Sequence, residues 1–124
     1  MKPFILLFSV ILFTSCYEPQ SDCKSFQEGI FEFETLIEGE LVKTRFDRRK
    51  DIEIETFRGK IDTASIRWVN DCEYVLRLVN PKKMADEKPM HFKILTTDKN
   101  SYTFEYNIVG ENAKQKGRAF RVDN

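Results

Sequence analysis

The stretch GIFEFETLIEGELVKTRFDRR, residues 29–49, shows the same two-residue periodicity twice in succession. Phe31, Phe33 and Ile37 fall on one face of the first run, with Glu32 and Glu34 on the other. After Glu38-Gly39-Glu40, Val42, Thr44 and Phe46 oppose Lys43, Arg45 and Asp47. Such alternation marks a half-buried strand, and a glycine between two such runs marks a hairpin. Lys43 and Arg45 would then lie opposite the glutamates of the first strand and help to set the register.

The pattern continues toward the C-terminus. DIEIETF (51–57) predicts a strand with Ile52 and Ile54 inward and Glu53 and Glu55 on the solvated outside, followed by a turn at Arg58-Gly59-Lys60. ASIRWVNDCEYVLRLV (64–79) predicts a hairpin turned at Asn70-Asp71, with Ile66, Trp68, Tyr74, Leu76 and Leu78 inward. Trp68 reads as a core anchor, because its same-face neighbours are also apolar. NPKKMADEKP (80–89) interrupts the alternation between two prolines; a helical turn or two fits there, as a crossover loop in preference to a lid. MHFKILTT (90–97) sets Met90, Phe92 and Ile94 inward, YTFEYNIVG (102–110) sets Tyr102, Phe104, Tyr106 and Ile108 inward, and RAFRV (118–122) is expected to bury Phe120 and Val122.

About eight short strands joined by turns too short for parallel crossovers predict an antiparallel up-and-down meander. No amphipathic helix is present to cover one apolar face of so long a sheet. The expected fold is therefore all-β, a small calycin-like (lipocalin-like) barrel or half barrel, with a two-sheet sandwich as the alternative. The inward aromatics Phe31, Phe33, Phe46, Trp68, Tyr74, Phe92, Phe104 and Tyr106 would fill the barrel or line a ligand cavity. So many bulky rings favour filling.

Upstream, MKPFILLFSVILFTSC (1–16) has one positive charge at Lys2, an apolar run from Phe4 to Phe13, and the small residues Thr14 and Ser15 before Cys16. The apolar run is too short at about 1.5 Å per residue to cross a hydrocarbon core of about 30 Å, so it reads as a signal peptide. With Cys16 after the small pair, the segment resembles the lipobox of bacterial lipoproteins. That resemblance implies cleavage of residues 1–15, diacylglycerol on the Cys16 thiol and acylation of the new amine, a firm anchor at about 0.8 kcal/mol per buried CH₂. The chain then divides into a signal (1–15), a lipidated tether (16–24) and one β domain (25–124), on the outer membrane or elsewhere in the cell envelope.

If Cys16 carries lipid, Cys23 and Cys72 remain as an even pair in an oxidising compartment, and a disulfide between them is expected. The mature chain would lose only Lys2 from the balance of 20 basic and 20 acidic residues. A near-neutral, finely mixed surface gives no electrostatic reason to expect nucleic acid as a partner.

Catalytic constellations are not found in the sequence. His91 is the only histidine, so no His-based metal site is expected, and no cofactor is implied. There is no Gly-rich phosphate loop, no G-x-S-x-G and no CxxC. The basic run Arg45, Arg48, Arg49, Lys50 is interrupted by Asp47 and followed by Asp51, and reads as a solvated turn in preference to a headgroup-binding patch.

DCKSFQEGIFEFE, IETFRGKIDTASIRWVNDCEYVL, KILTTDKNSYTFEY and KQKG together resemble a family of short, uncharacterised bacterial lipoproteins of about this chain's length. The W-x-N-x-C-E-Y stretch together with the ILTT stretch (94–97) is the most specific part. Some members carry the label DNA topoisomerase IV, which the residues here contradict: the chain has no room for the domains of such an enzyme and no basic DNA track. The resemblance implies an envelope address and supplies no active site. The expected role is thus a non-enzymatic, lipid-anchored interaction or structural module with an envelope protein as partner. One alternative is a carrier of a small apolar ligand. A weaker one is an inhibitor of an envelope-directed hydrolase, since the Ser-Gly-x-x-Tyr type of motif of lipid-anchored lysozyme inhibitors is missing.

Overall fold

Eight antiparallel strands, each paired with the next in chain order and the last with the first, close into a barrel. A computed structural model describes residues 21–122. The strands are β1 (Gly29–Ile37), β2 (Glu40–Arg48), β3 (Ile52–Phe57), β4 (Lys60–Trp68), β5 (Glu73–Leu78), β6 (Met90–Thr97), β7 (Ser101–Ile108) and β8 (Gln115–Arg121). The expected meander is therefore a closed barrel and not a sandwich. Cys16, the signal segment and the first part of the tether lie outside the described residues.

Two tight turns bear out the glycine signals. Glu38-Gly39 and Arg58-Gly59 both have positive φ, the backbone that two-residue hairpins require to match strand twist. Across the first hairpin Glu32 faces Arg45 and Glu34 faces Lys43, the charge register expected from the sequence. The outward positions of the strands carry many charges, including Glu34, Lys43, Arg45, Arg67, Arg77 and Lys93. A barrel spanning a membrane would present an apolar band there.

An up-and-down barrel has two ends. The β2–β3, β4–β5 and β6–β7 connections lie at one, and a 3-10 turn (Cys23–Phe26) packs into that end from the N-terminal side. The β1–β2, β3–β4, β5–β6 and β7–β8 connections form the other end, which stays open. The Cys23–Cys72 disulfide fastens the turn to the β4–β5 connection. Cys23 and Lys24, assigned from the sequence to the tether, belong to this turn. A second short 3-10 turn (Met84–Glu87) sits exposed in the β5–β6 connection at the open rim, within the segment read as a crossover loop.

Three expected orientations need correction. In β3 the parity is reversed: Glu53 is 2% exposed, whereas Ile52 is 45% exposed. The cause is the register with β2, which pairs Arg48 with Glu53 and Phe46 with Glu55 and so places both glutamates on the face already set by Phe46. Arg48 itself is buried, not part of a solvated basic turn. It continues the Val42, Thr44, Phe46 alternation by one more step. In β8, Ala119 and Gly117 face inward and Phe120 faces out at 48% exposure, with the Arg118 guanidinium carbon 5.7 Å from its ring centre. Large rings from β1 and β7 already occupy this part of the interior. A Cβ added at Gly117 would come within 2.9 Å of the Phe104 ring, so only a glycine fits there.

Candidate functional site

The interior divides into two parts of unlike chemistry. Toward the closed end, Phe26, Phe31 and Tyr102 pack with ring centres 5.3–6.0 Å apart. Arg121 from β8 lies over Phe26 and Phe31 and donates hydrogen bonds to the carbonyls of Ser25 and Glu28, tying the last strand to the N-terminal turn.

Arg48 stands at the centre of this half. Its Nε donates to Glu53 at 3.0 Å, one terminal nitrogen donates to the Phe26 carbonyl at 2.9 Å, and the other donates to the hydroxyls of Tyr74 and Tyr102, each at 2.9 Å. Its guanidinium carbon also sits 4.9 Å from the Tyr74 ring centre and 5.0 Å from that of Phe31. Burial opposes its charge, but Tyr74, Tyr102 and Glu53 outweigh that, and its pKa is held well above the ordinary arginine value. Burial also pushes the Tyr74 and Tyr102 phenols upward, with Arg48 opposing in part, so both are neutral donors and acceptors at physiological pH. A buried charge is tolerable only with such complete pairing.

Toward the open end the interior is a cavity of about 360 Å³. Aromatic side chains make most of its wall: Phe33, Phe46, Phe57, Phe92, Phe104 and Tyr106. Leu76, Met90 and Thr44 complete the apolar lining, and Glu53 and Glu55 supply the carboxylates. A run of packed rings joins the two halves: Trp68 lies tilted against Tyr74 at 4.7 Å, and Tyr74 stacks on Phe92 at 5.0 Å and Phe92 on Tyr106 at 5.3 Å between centres. The run holds the wall in place because each ring after the first is the cross-strand partner of the one before it.

Of the two carboxylates, Glu53 is neutralised by Arg48. Glu55 is half-buried, and burial first, then the nearby Glu53 and Asp62, raises its pKa above the usual carboxylate range. Among the described residues no cation or donor pulls it the other way. Tyr106, whose hydroxyl donates to Gln115 at 2.8 Å, has its own pKa raised by burial and by Glu55.

The eight inward aromatics thus have two fates. Phe33, Phe46, Phe92, Phe104 and Tyr106 line the cavity, while Phe31, Trp68 and Tyr74 pack the closed half. The expectation of a filled interior holds for one half of the barrel only. Sequence reading missed Arg48, Glu53, Glu55 and Phe57, although extending the Val42-Thr44-Phe46 parity by two residues reaches Arg48. His91 lies 3.4 Å from Glu73, away from the cavity lining. Among the described residues no group of three or more His, Cys, Asp or Glu is placed to hold a metal ion.

A wider hollow of about 690 Å³ lies outside the barrel between the N-terminal turn and Trp68. Its walls mix Lys24, Lys50 and Arg67 with Glu28 and Asp51, so no single ligand chemistry converges there. Compared with known proteins, the chain matches no family model and no curated protein.

Proposed function

We propose that this domain is a non-enzymatic binder of a small, largely apolar ligand, held at a bacterial cell envelope by lipid on Cys16. One observation carries the reading: a preformed cavity of about 360 Å³ with aromatic walls, open at one end of a barrel that is sealed at the other. Ligand sites are typically preformed, concave and mostly apolar, with few polar groups fixing orientation, and volumes from about 300 Å³ upward are common. The closed end supplies the rigidity that keeps such a cavity open without a ligand.

The proposed anchor suits this arrangement. Six residues, 17–22, separate Cys16 from the disulfide-bonded Cys23, a reach of about 20 Å when extended. An anchor at Cys16 would put the membrane attachment on the closed-end side, with the mouth at the far end of the barrel. An interaction module is the second reading, favoured by Leu41, Ile61, Val79, Met84 and Val109, all exposed and all at or near the open rim.

Native mass spectrometry of the protein purified from its own envelope tests this. The expected result is a chain beginning at Cys16 with acyl mass added, the disulfide intact, and a small molecule that Thr44→Trp, which fills the cavity, no longer retains. An N-terminus at Met1 would overturn the address. A small molecule retained equally by Thr44→Trp, or none at all, would overturn the carrier in favour of the module.

A further inference from the structure

We infer that the cavity selects ligands carrying a cationic amine on an apolar body, and that Glu55 is the residue that recognises the charge; this rests on the carrier reading above. The cavity wall is unusually rich in aromatic faces, and Phe33, Phe57, Phe92 and Tyr106 surround the space into which Glu55 projects. An aromatic enclosure attracts cations through the ring quadrupoles, and more strongly where water is displaced. A carboxylate within that enclosure adds a directional acceptor.

The charge balance points the same way. Arg48 is the one cation buried in the described interior, and Glu53, the Phe26 carbonyl and two phenols already engage all three of its nitrogens. Glu53 is used by Arg48 in return. That leaves Glu55, which lines the cavity opposite Asp62 of the neighbouring strand, as the cavity carboxylate without a cationic partner among the described residues. An anionic ligand such as a fatty-acid carboxylate would be repelled there, and a neutral one would leave Glu55 desolvated without a partner. An ammonium group supplies the missing partner.

Three matched probes test the inference by titration calorimetry at neutral pH: phenethylammonium, phenethyl alcohol and hydrocinnamate. They share a phenyl ring and a short arm and differ in the charge at its tip. The expected result is that phenethylammonium binds about tenfold or more tighter than the alcohol, the scale of one desolvated cation–ring and carboxylate contact, with hydrocinnamate weakest. In Glu55→Gln, checked for intact fold by circular dichroism, the preference for the amine over the alcohol should fall severalfold, to what the rings alone supply. Equal binding of amine and alcohol, tightest binding by hydrocinnamate, or a preference undiminished in Glu55→Gln would each overturn the inference while leaving the carrier in place. Failure of all three probes to bind would count against the carrier as well.

Discussion

At the closed end of this barrel a buried cation has every neighbour it needs, whereas at the open end a half-buried carboxylate has none. Arg48 donates to Glu53, to a main-chain carbonyl and to two phenols, and rings cover its faces. Glu55, one step along the neighbouring strand on the same face, is surrounded by rings and by other carboxylates. The same eight strands supply both environments. What differs is that the N-terminal turn and its disulfide complete one end, while nothing from the described chain fills the other. The lesson is that a small barrel can stabilise itself from one end and so keep unsatisfied chemistry at the other.

The largest effect is expected from Arg48→Ala. It leaves Glu53 buried without its partner and strips two tyrosines of their hydrogen bond, at a cost of about 3–5 kcal/mol. Chemical denaturation measures this, and Arg48→Met combined with Glu53→Gln should recover part of the loss. A cost below about 1 kcal/mol, typical of an exposed ion pair, would show that the closed half is not the stabilising one.

Next in size is the disulfide. Cys23 and Cys72 are 49 residues apart, and replacing both by Ala should destabilise by about 2–4 kcal/mol. The loss should be felt first at the closed end, as faster amide exchange at Phe26 and Tyr102. Exchange accelerated mainly around Phe57 and Tyr106 would mean that the two ends are not separable in this way.

The smallest effect has the opposite sign. Because Glu55 has a raised pKa in the folded state, folding favours its protonated form. Its contribution is most favourable below the unfolded carboxyl value and is lost as pH rises through the folded one. Glu55→Gln should therefore raise Tm slightly at neutral pH, with the gain disappearing in acid. A Tm difference independent of pH would place Glu55 among ordinary solvated carboxylates.

Much of the barrel was legible because period-two alternation is strong wherever one face is apolar. Strands β1, β5, β6 and β7 show their inward residues directly, and the charge pairs of Glu32 with Arg45 and Glu34 with Lys43 follow from them. The pairing of Cys23 with Cys72 was legible from the cysteine count, once an oxidising compartment was expected for the chain. The site was not. In DIEIETF both parities alternate cleanly, and hydrophobicity alone assigns the isoleucines inward; only the cross-strand partner Arg48 makes a buried glutamate acceptable. In β8 the misleading residue was Phe120, since the interior there had room for Gly117 and Ala119 and no more. Both failures arise where an inward position is decided by a neighbouring strand and not by its own side chain.

The division of the barrel can be tested by a crystal structure of the domain, refolded from denaturant to remove any cellular ligand, under xenon pressure. Xenon enters apolar voids and is excluded from packed cores. The expected density lies among Phe33, Phe92 and Phe104 in the open half, with none among Phe26, Phe31 and Tyr102. Xenon within the closed half, or an open half whose rings have collapsed to leave no void, would contradict a barrel built to hold a cavity at one end.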